Sequence, residues 1–260
     1  MTGTPSAIKR LAKPASRSWA GGWPGRDRIA AGFGVSVDIP KLRPFHGERQ
    51  ERGTMSVESI RLAELLCARL CHDLAGPAGA IANGAELMGE DDPGMAEEAA
   101  ALMAGAASQL GNRLRFFRAA FGWEGGAAKD LAEAGRIAAD FLAPLPGQPP
   151  RFVLEGPKGT DPGPGGLKLL HLLMLLGSEA LPRGGRLTLT ASPQTLCVLA
   201  EGQGANLNHE TAVMLQGRAE APPPTPRTAP VLFARALARE TGWTLSAEAT
   251  PGGLNLAAKR

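Results

Sequence analysis

The sequence predicts an α+β protein. An N-terminal helical hairpin pairs with a second copy to form a dimeric four-helix bundle, and an α/β two-layer sandwich follows. Two observations carry this. Long helical patterns over residues 56–89 and 95–121 are joined by a short turn. From residue 128 onward, short alternating or apolar runs recur between helical ones. A third observation bounds the class: no apolar run reaches the ~18 residues that a membrane span needs. The longest, "LKLLHLLMLLG" (167–177), is short and carries His171, so it reads as a buried helix.

The elements follow in order. Residues 1–54 lack sustained periodicity and are rich in Gly, Pro, Arg and Ser, the composition of a disordered basic tail with no secretory h-region. Residues 55–123 are the hairpin. Ser56 or Ser59 caps its first helix, and Gly89, Asp91, Asp92, Pro93 and Gly94 make the turn. The second helix sets Met95, Ala99, Leu102, Ala106, Leu110, Leu114, Phe117 and Phe121 on one stripe. A lone hairpin leaves much of its apolar face uncovered, which is the reason to expect a partner chain. Residues 127–260 are the α/β domain. They read as a helix at 128–142, a strand at 151–156, a helix at 165–181, and strands at 186–192 and 195–202. A Pro-rich loop at 221–230, a helix at 230–241 and a closing hairpin, "TLSAEAT" and "GLNLAAK", complete it. His46 and His209 are placed in the tail and in a loop, with nothing to mark them.

Charge narrows the function. Residues 1–54 hold ten Lys or Arg against four Asp or Glu, whereas residues 55–260 hold eighteen against twenty-one. The folded part is therefore mildly acidic, which argues against nucleic acid as a partner. Three cysteines, 67, 71 and 197, are too few for a disulfide framework and suit a reducing cytoplasm.

One stretch concentrates chemistry: "CARLCHDLAGPAGAI" (67–81). At about 100° per residue, Leu66, Leu70, Leu74, Pro77 and Ile81 share a core stripe, widened by Ile60, Cys67 and Cys71. His72 falls roughly 160° away. Its neighbours on that face are Ala68, Ala75, Gly76 and Gly79, residues with almost no side chain. It is either a solvated surface histidine or one that a partner can approach closely. A metal site lacks a second Cys/His cluster, and the spacing C-x-x-x-C-H is not the haem signature. The cysteines read as small apolar core residues. No G-x-S-x-G elbow is present for a hydrolase.

The segment "LCARLCHDLAGPAGAI" (66–81), with "LRFFRAAFG" (114–122) ending the second helix, resembles the ChpT-type histidine phosphotransferases. These are dimeric phosphorelay proteins built on a histidine-kinase plan, and the likeness spans about residues 60–260. It implies that His72 accepts a phosphoryl group from an aspartyl-phosphate on a hybrid kinase's receiver domain and passes it to the aspartate of a response regulator. Mg²⁺ would come from the partner receiver domain, with no cofactor bound by this chain. Asp73 would orient the imidazole or stand as a solvated flank. Arg69 would lend charge to the phosphoryl group or pair with Glu64 or Asp73. Ala68, Ala75, Gly76 and Gly79 would face the partner.

Departures from kinases set a further expectation. Counting back from "EALPRGG" (179–185), the kinase asparagines fall on Leu172 and Leu176, and the nucleotide-loop aspartate falls on Ala200. "PPPTPRTAPV" (222–231) replaces the second glycine-rich loop. The domain therefore resembles a degenerate histidine-kinase ATP-binding domain, expected not to bind ATP. Where kinase-phosphatases carry a water-orienting Thr or Asn, four residues after the histidine, this chain has Gly76. The competing readings are an ATP-dependent sensor kinase and a non-catalytic scaffold.

Overall fold

The computed structural model describes residues 56–89, 93–123, 128–145, 148–156, 160–217 and 221–260. The tail, His46, and Asp91 and Asp92 of the expected turn lie outside them. The helices are α1 (Val57–Leu87), α2 (Pro93–Phe121), α3 (Leu131–Leu142), α4 (Gly166–Glu179), α5 (His209–Gln216) and α6 (Ala229–Thr241). The strands are β1 (Arg151–Glu155), β2 (Arg186–Ala191), β3 (Thr195–Glu201), β4 (Thr244–Thr250) and β5 (Gly253–Lys259). The expected strands and the closing hairpin are all present.

The strands form one sheet in the order β1-β2-β3-β5-β4, in which β1 runs parallel to β2 and the other pairs are antiparallel. Alternation in β2 and β3 puts Leu187, Leu189, Leu196, Val198 and Ala200 on a fully buried face. Helix α4 lies against that face, and its leucine run is buried all round, as the sequence implies. Close approach depends on Gly177: a Cβ there would come within 2.8 Å of Leu187 Cδ1 and 2.9 Å of Val198 Cγ1.

Ser56 caps α1 by accepting a hydrogen bond from Ser59 N at 3.1 Å. Helices α1 and α2 pack tightly at Gly84, where a Cβ would collide with the Met103 side chain and meet Ala99 O at 3.2 Å. The hairpin's base enters the α/β core. Phe116 stacks on Phe141 with ring centroids 4.0 Å apart, and Phe121 meets Phe233 at 5.5 Å. Polar side chains of α2 reinforce this: Gln109 Nε2 donates to Pro144 O at 2.9 Å, and Asn112 Nδ2 donates to Asp140 O at 3.0 Å.

Three expectations need correction. Cys67 and Cys71 are exposed, not core residues. Helix α2 covers the side of α1 that carries Leu65, Pro77 and Gly84, and leaves the side with Ile60 and the cysteines open. Leu102 and Leu114 are exposed for the same reason, on the outer side of α2. His209 is not in a loop but opens α5. Asn208 caps that helix by accepting from Thr211 N at 2.8 Å, and Gly217 ends it at φ 67°.

His171 is a core residue, as expected, at 2 % exposure. Its Nδ1 lies 2.7 Å from Leu167 O, so this nitrogen carries the proton and donates. Burial pushes its pKa below the ordinary 6.5, and protonation therefore favours the unfolded chain. This contribution to stability is fully present above pH 6.5 and is lost as pH falls towards the lowered value. Denaturant titrations from about pH 7 to 5 should show stability falling less steeply in His171→Leu than in the native chain. Equal slopes would refute the assignment.

Candidate functional site

His72 sits near the middle of α1 with 86 % of its side chain exposed. The helical angles placed it on the open face, and it is there. Ala68, Ala75, Gly76 and Gly79 are exposed around it. A Cβ built at Gly76 or Gly79 meets nothing within 4 Å, so the surface beside the imidazole is flat and unobstructed.

The imidazole is held from one side. Its Nδ1 lies 3.1 Å from Asp73 Oδ1, which favours the tautomer with the proton on Nδ1 and the lone pair on the opposite nitrogen, Nε2. Nε2 has no hydrogen bond among the described residues. Asp73 is itself fixed, with only 16 % of its side chain exposed, because its other oxygen accepts from Arg69 Nε at 2.7 Å. Arg69 extends the chain: its Nη2 donates to Glu179 Oε1 at 2.6 Å. Glu179 is the last residue of α4, so the run His72–Asp73–Arg69–Glu179 ties the hairpin to the α/β part. Glu64, the other expected partner of Arg69, pairs with Arg61 at 3.3 Å.

A proline explains one further contact. Pro77 has no N–H to offer the carbonyl four residues back, which is that of Asp73. Arg113 Nη1, from α2, donates to that carbonyl at 2.9 Å. The break in the helical ladder is therefore closed by a cation on the neighbouring helix, next to the histidine.

The electrostatics follow from burial. Burial works against the Arg69 charge, yet Glu179 and Asp73 more than offset it and hold its pKa above the ordinary value. Burial pushes the Glu179 carboxyl above the ordinary carboxylate value, while Arg69 and then Arg227 pull it back. Arg227 belongs to the loop before α6. With His72, Asp73, Arg69, Glu179 and Thr225 it lines a groove of ≈ 600 Å³ beside the imidazole.

The cysteines take no part. The Cys71 thiol is pushed up by its hydrogen bond to Cys67, the opposite of an activated thiolate. Among the described residues, no group of three or more His, Cys, Asp or Glu could hold a metal ion. Sequence reasoning singled out His72, Asp73 and Arg69, and the structure brings them together. It missed Glu179, Arg113 and Arg227, which lie far along the chain from the histidine. Only Pro77, by freeing a carbonyl, signalled that a donor was needed.

An exposed imidazole with one nitrogen oriented by a carboxylate and the other free is a nucleophile for group transfer. A family model, a curated relative and one solved structure point the same way. Residues 126–253 match the family described as the histidine phosphotransferase C-terminal domain. The protein phosphotransferase ChpT of Brucella abortus (strain 2308) is 30% identical over 202 residues, which cover 75% of this chain and 94% of that protein. A solved bacterial phosphotransferase superposes with a TM-score of 0.67 at 29% identity, covering 79% of this chain and 98% of that one. Full-length ShkA, solved in complex with AMPPNP, superposes with a TM-score of 0.34 at 16% identity, covering 76% of this chain and 45% of that one.

The Arg69 tie has a measurable weight. With 17 % and 19 % of the Arg69 and Glu179 side chains exposed, the pair is largely but not wholly desolvated. Arg69→Met leaves two carboxylates facing each other, and we expect a loss of about 2–4 kcal/mol in chemical denaturation. A loss under ~1 kcal/mol would mean that the pair behaves as a surface bridge.

Proposed function

Because the chain belongs to the ChpT-type histidine phosphotransferases, we propose that it relays a phosphoryl group through His72. The donor is an aspartyl-phosphate on a hybrid kinase's receiver domain, and the acceptor is the aspartate of a response regulator. That the chain is a phosphotransferase follows from the family. The route through His72 rests on one observation above all: an exposed imidazole with Nδ1 held by Asp73 and with Nε2 facing an unobstructed surface.

The step balances as follows. The Nε2 lone pair attacks phosphorus and forms the N–P bond. The P–O bond to the partner's aspartate breaks, and its electron pair stays on that carboxylate. Nδ1 keeps its proton, and the ring gains positive charge beside the Asp73 carboxylate. Onward transfer reverses these roles with the second receiver and returns a neutral imidazole. Phosphoryl transfer asks mainly for in-line approach and charge neutralisation. The partner receiver domain supplies Mg²⁺ for the latter, and this chain binds no cofactor.

Four further parts belong to this reading. ATP is not a substrate. Leu172 and Leu176, where kinases place metal-coordinating amides, are wholly buried, as is Ala200 at the nucleotide-loop position. The protein acts as a homodimer, for which the support is the open apolar side of the hairpin with Val57, Ile60, Leu102 and Leu114. It resides in the cytoplasm, where receiver domains and free thiols are found; among the described residues no helix is long and apolar enough to cross a membrane. Gly76 offers no group to orient water, so hydrolysis of the partner's aspartyl-phosphate is slow.

The direct experiment mixes the native chain with a phosphorylated receiver domain and follows the label. Transfer should occur, and His72→Ala should abolish it while light scattering still returns the mass of two chains. Labelling of the variant would remove His72 from the mechanism. Labelling from Mg-ATP alone would favour a kinase, no labelling at all a scaffold, and a one-chain mass would refute the dimer.

The glycines give a test of docking. With open space around Gly79, a leucine there fits and should raise helix stability by about 0.5–1 kcal/mol. The same Gly79→Leu change should slow transfer from the receiver domain at least ~10-fold, because a near-attack geometry tolerates little displacement. Unchanged transfer would show that this face is not approached.

A further inference from the structure

Two guanidinium groups line the groove beside His72, and their situations differ. Arg69 is matched by two carboxylates, Asp73 at 2.7 Å and Glu179 at 2.6 Å. Arg227 is exposed and makes no ion pair or hydrogen bond among the described residues, although its charge reaches Glu179. Before phosphorylation the groove is balanced, with Arg69 and Arg227 against Asp73 and Glu179. A phosphoryl group on His72 would add nearly two negative charges. The cation without a close partner is Arg227.

The loop that carries Arg227 is built to hold its backbone still. Thr225 and Thr228 clasp each other: Thr225 N donates to Thr228 Oγ1 at 2.9 Å, and Thr228 Oγ1 donates to Thr225 O at 3.1 Å. Thr228 N and Ala229 N also donate to Thr225 O, at 3.1 and 3.0 Å. Thr228 is fully buried. Pro222, Pro223, Pro224 and Pro226 restrict the backbone on either side of Thr225, just before Arg227. Helix α6 begins at Ala229 and packs against α1, so its positive end adds to the Arg227 charge at the groove. A segment so constrained, ending in an unpaired arginine, is a poor solvent loop and a good anion contact.

We propose that Arg227 binds the phosphoryl group carried by His72, donating N–H groups to its non-bridging oxygens and remaining charged throughout. This rests on His72 being the phosphoacceptor. Arg227 transfers no proton; it neutralises charge while the N–P bond forms and while it breaks. The Pro-rich segment that stands where a kinase has a glycine-rich nucleotide loop would then still serve a phosphate, but one on the protein itself.

The test needs no partner protein. Potassium phosphoramidate phosphorylates histidine by forming N–P on the ring as its own P–N bond breaks and ammonia leaves. The full chain, Arg227→Gln, Arg227→Lys and His72→Ala are treated alike and read by ³¹P NMR. The informative resonance is the one His72→Ala removes. Its pH-titration midpoint should lie about half a unit higher in Arg227→Gln than in the native chain, a threefold change in protonation ratio. Arg227→Lys should restore most of the difference, which a purely structural role would not. A common midpoint in all three overturns the proposal and leaves His72 as acceptor. If no resonance depends on His72, the acceptor reading fails and the proposal with it.

Discussion

The position of His72 depends on a single guanidinium. Arg69 reaches back one turn to Asp73 and across to the end of α4 at Glu179, so one side chain joins the helix that bears the histidine to the sheet-bearing part of the protein. Such a pair need not add much net stability, because desolvation opposes the Coulomb gain. Its value is geometric. It fixes where Asp73 lies, and Asp73 fixes which nitrogen of His72 faces outward. Burial of Glu179 makes this arrangement demanding: its carboxyl is pushed up by desolvation, and Arg69 first and Arg227 second pull it back.

Much of the fold was legible in the sequence. Period-two alternation placed β2 and β3, and the apolar run of α4 announced a helix buried all round. Helical angles alone put His72 on the open face among Ala and Gly. The errors have physical causes. Cys67 and Cys71 lie on an apolar-looking arc of α1, but amphipathicity says only that a face is apolar, not which neighbour covers it. Helix α5 is short and weakly patterned; its signals were Asn208 and Gly217 at its two ends, not periodicity. Glu179 and Arg113 could not be found by local spacing, since they stand 110 and 40 residues from their partners.

If Arg227 takes the phosphoryl group as proposed, the groove is a site for a transient anion assembled without a metal ligand set. The two carboxylates beside His72 would repel an incoming phosphoryl group if left alone. Asp73 and Glu179 are instead turned onto Arg69, which neutralises them at close range. What the visitor meets is the flat Ala and Gly surface, the Nε2 edge of the ring and the loop bearing Arg227. Attraction and repulsion are thus separated within a few ångströms by hydrogen-bond geometry, at a site where water has free access.

Pro77 has a consequence beyond its neighbours. Where α1 and α2 meet, the contact is built largely from small and unbranched residues such as Ala99, Ala106 and Gly84, and a surface of that kind permits more than one alignment. Gly84, whose missing Cβ leaves room for the Met103 side chain, already opposes a slide of one turn, about 5.4 Å. Such a slide would also carry Arg113 away from the Asp73 carbonyl, leaving without a partner the interior acceptor that Pro77 cannot satisfy. The missing N–H of a proline thereby acts as a second registration mark: with Gly84 it favours one alignment of the two helices, and with it one height for the histidine above the groove.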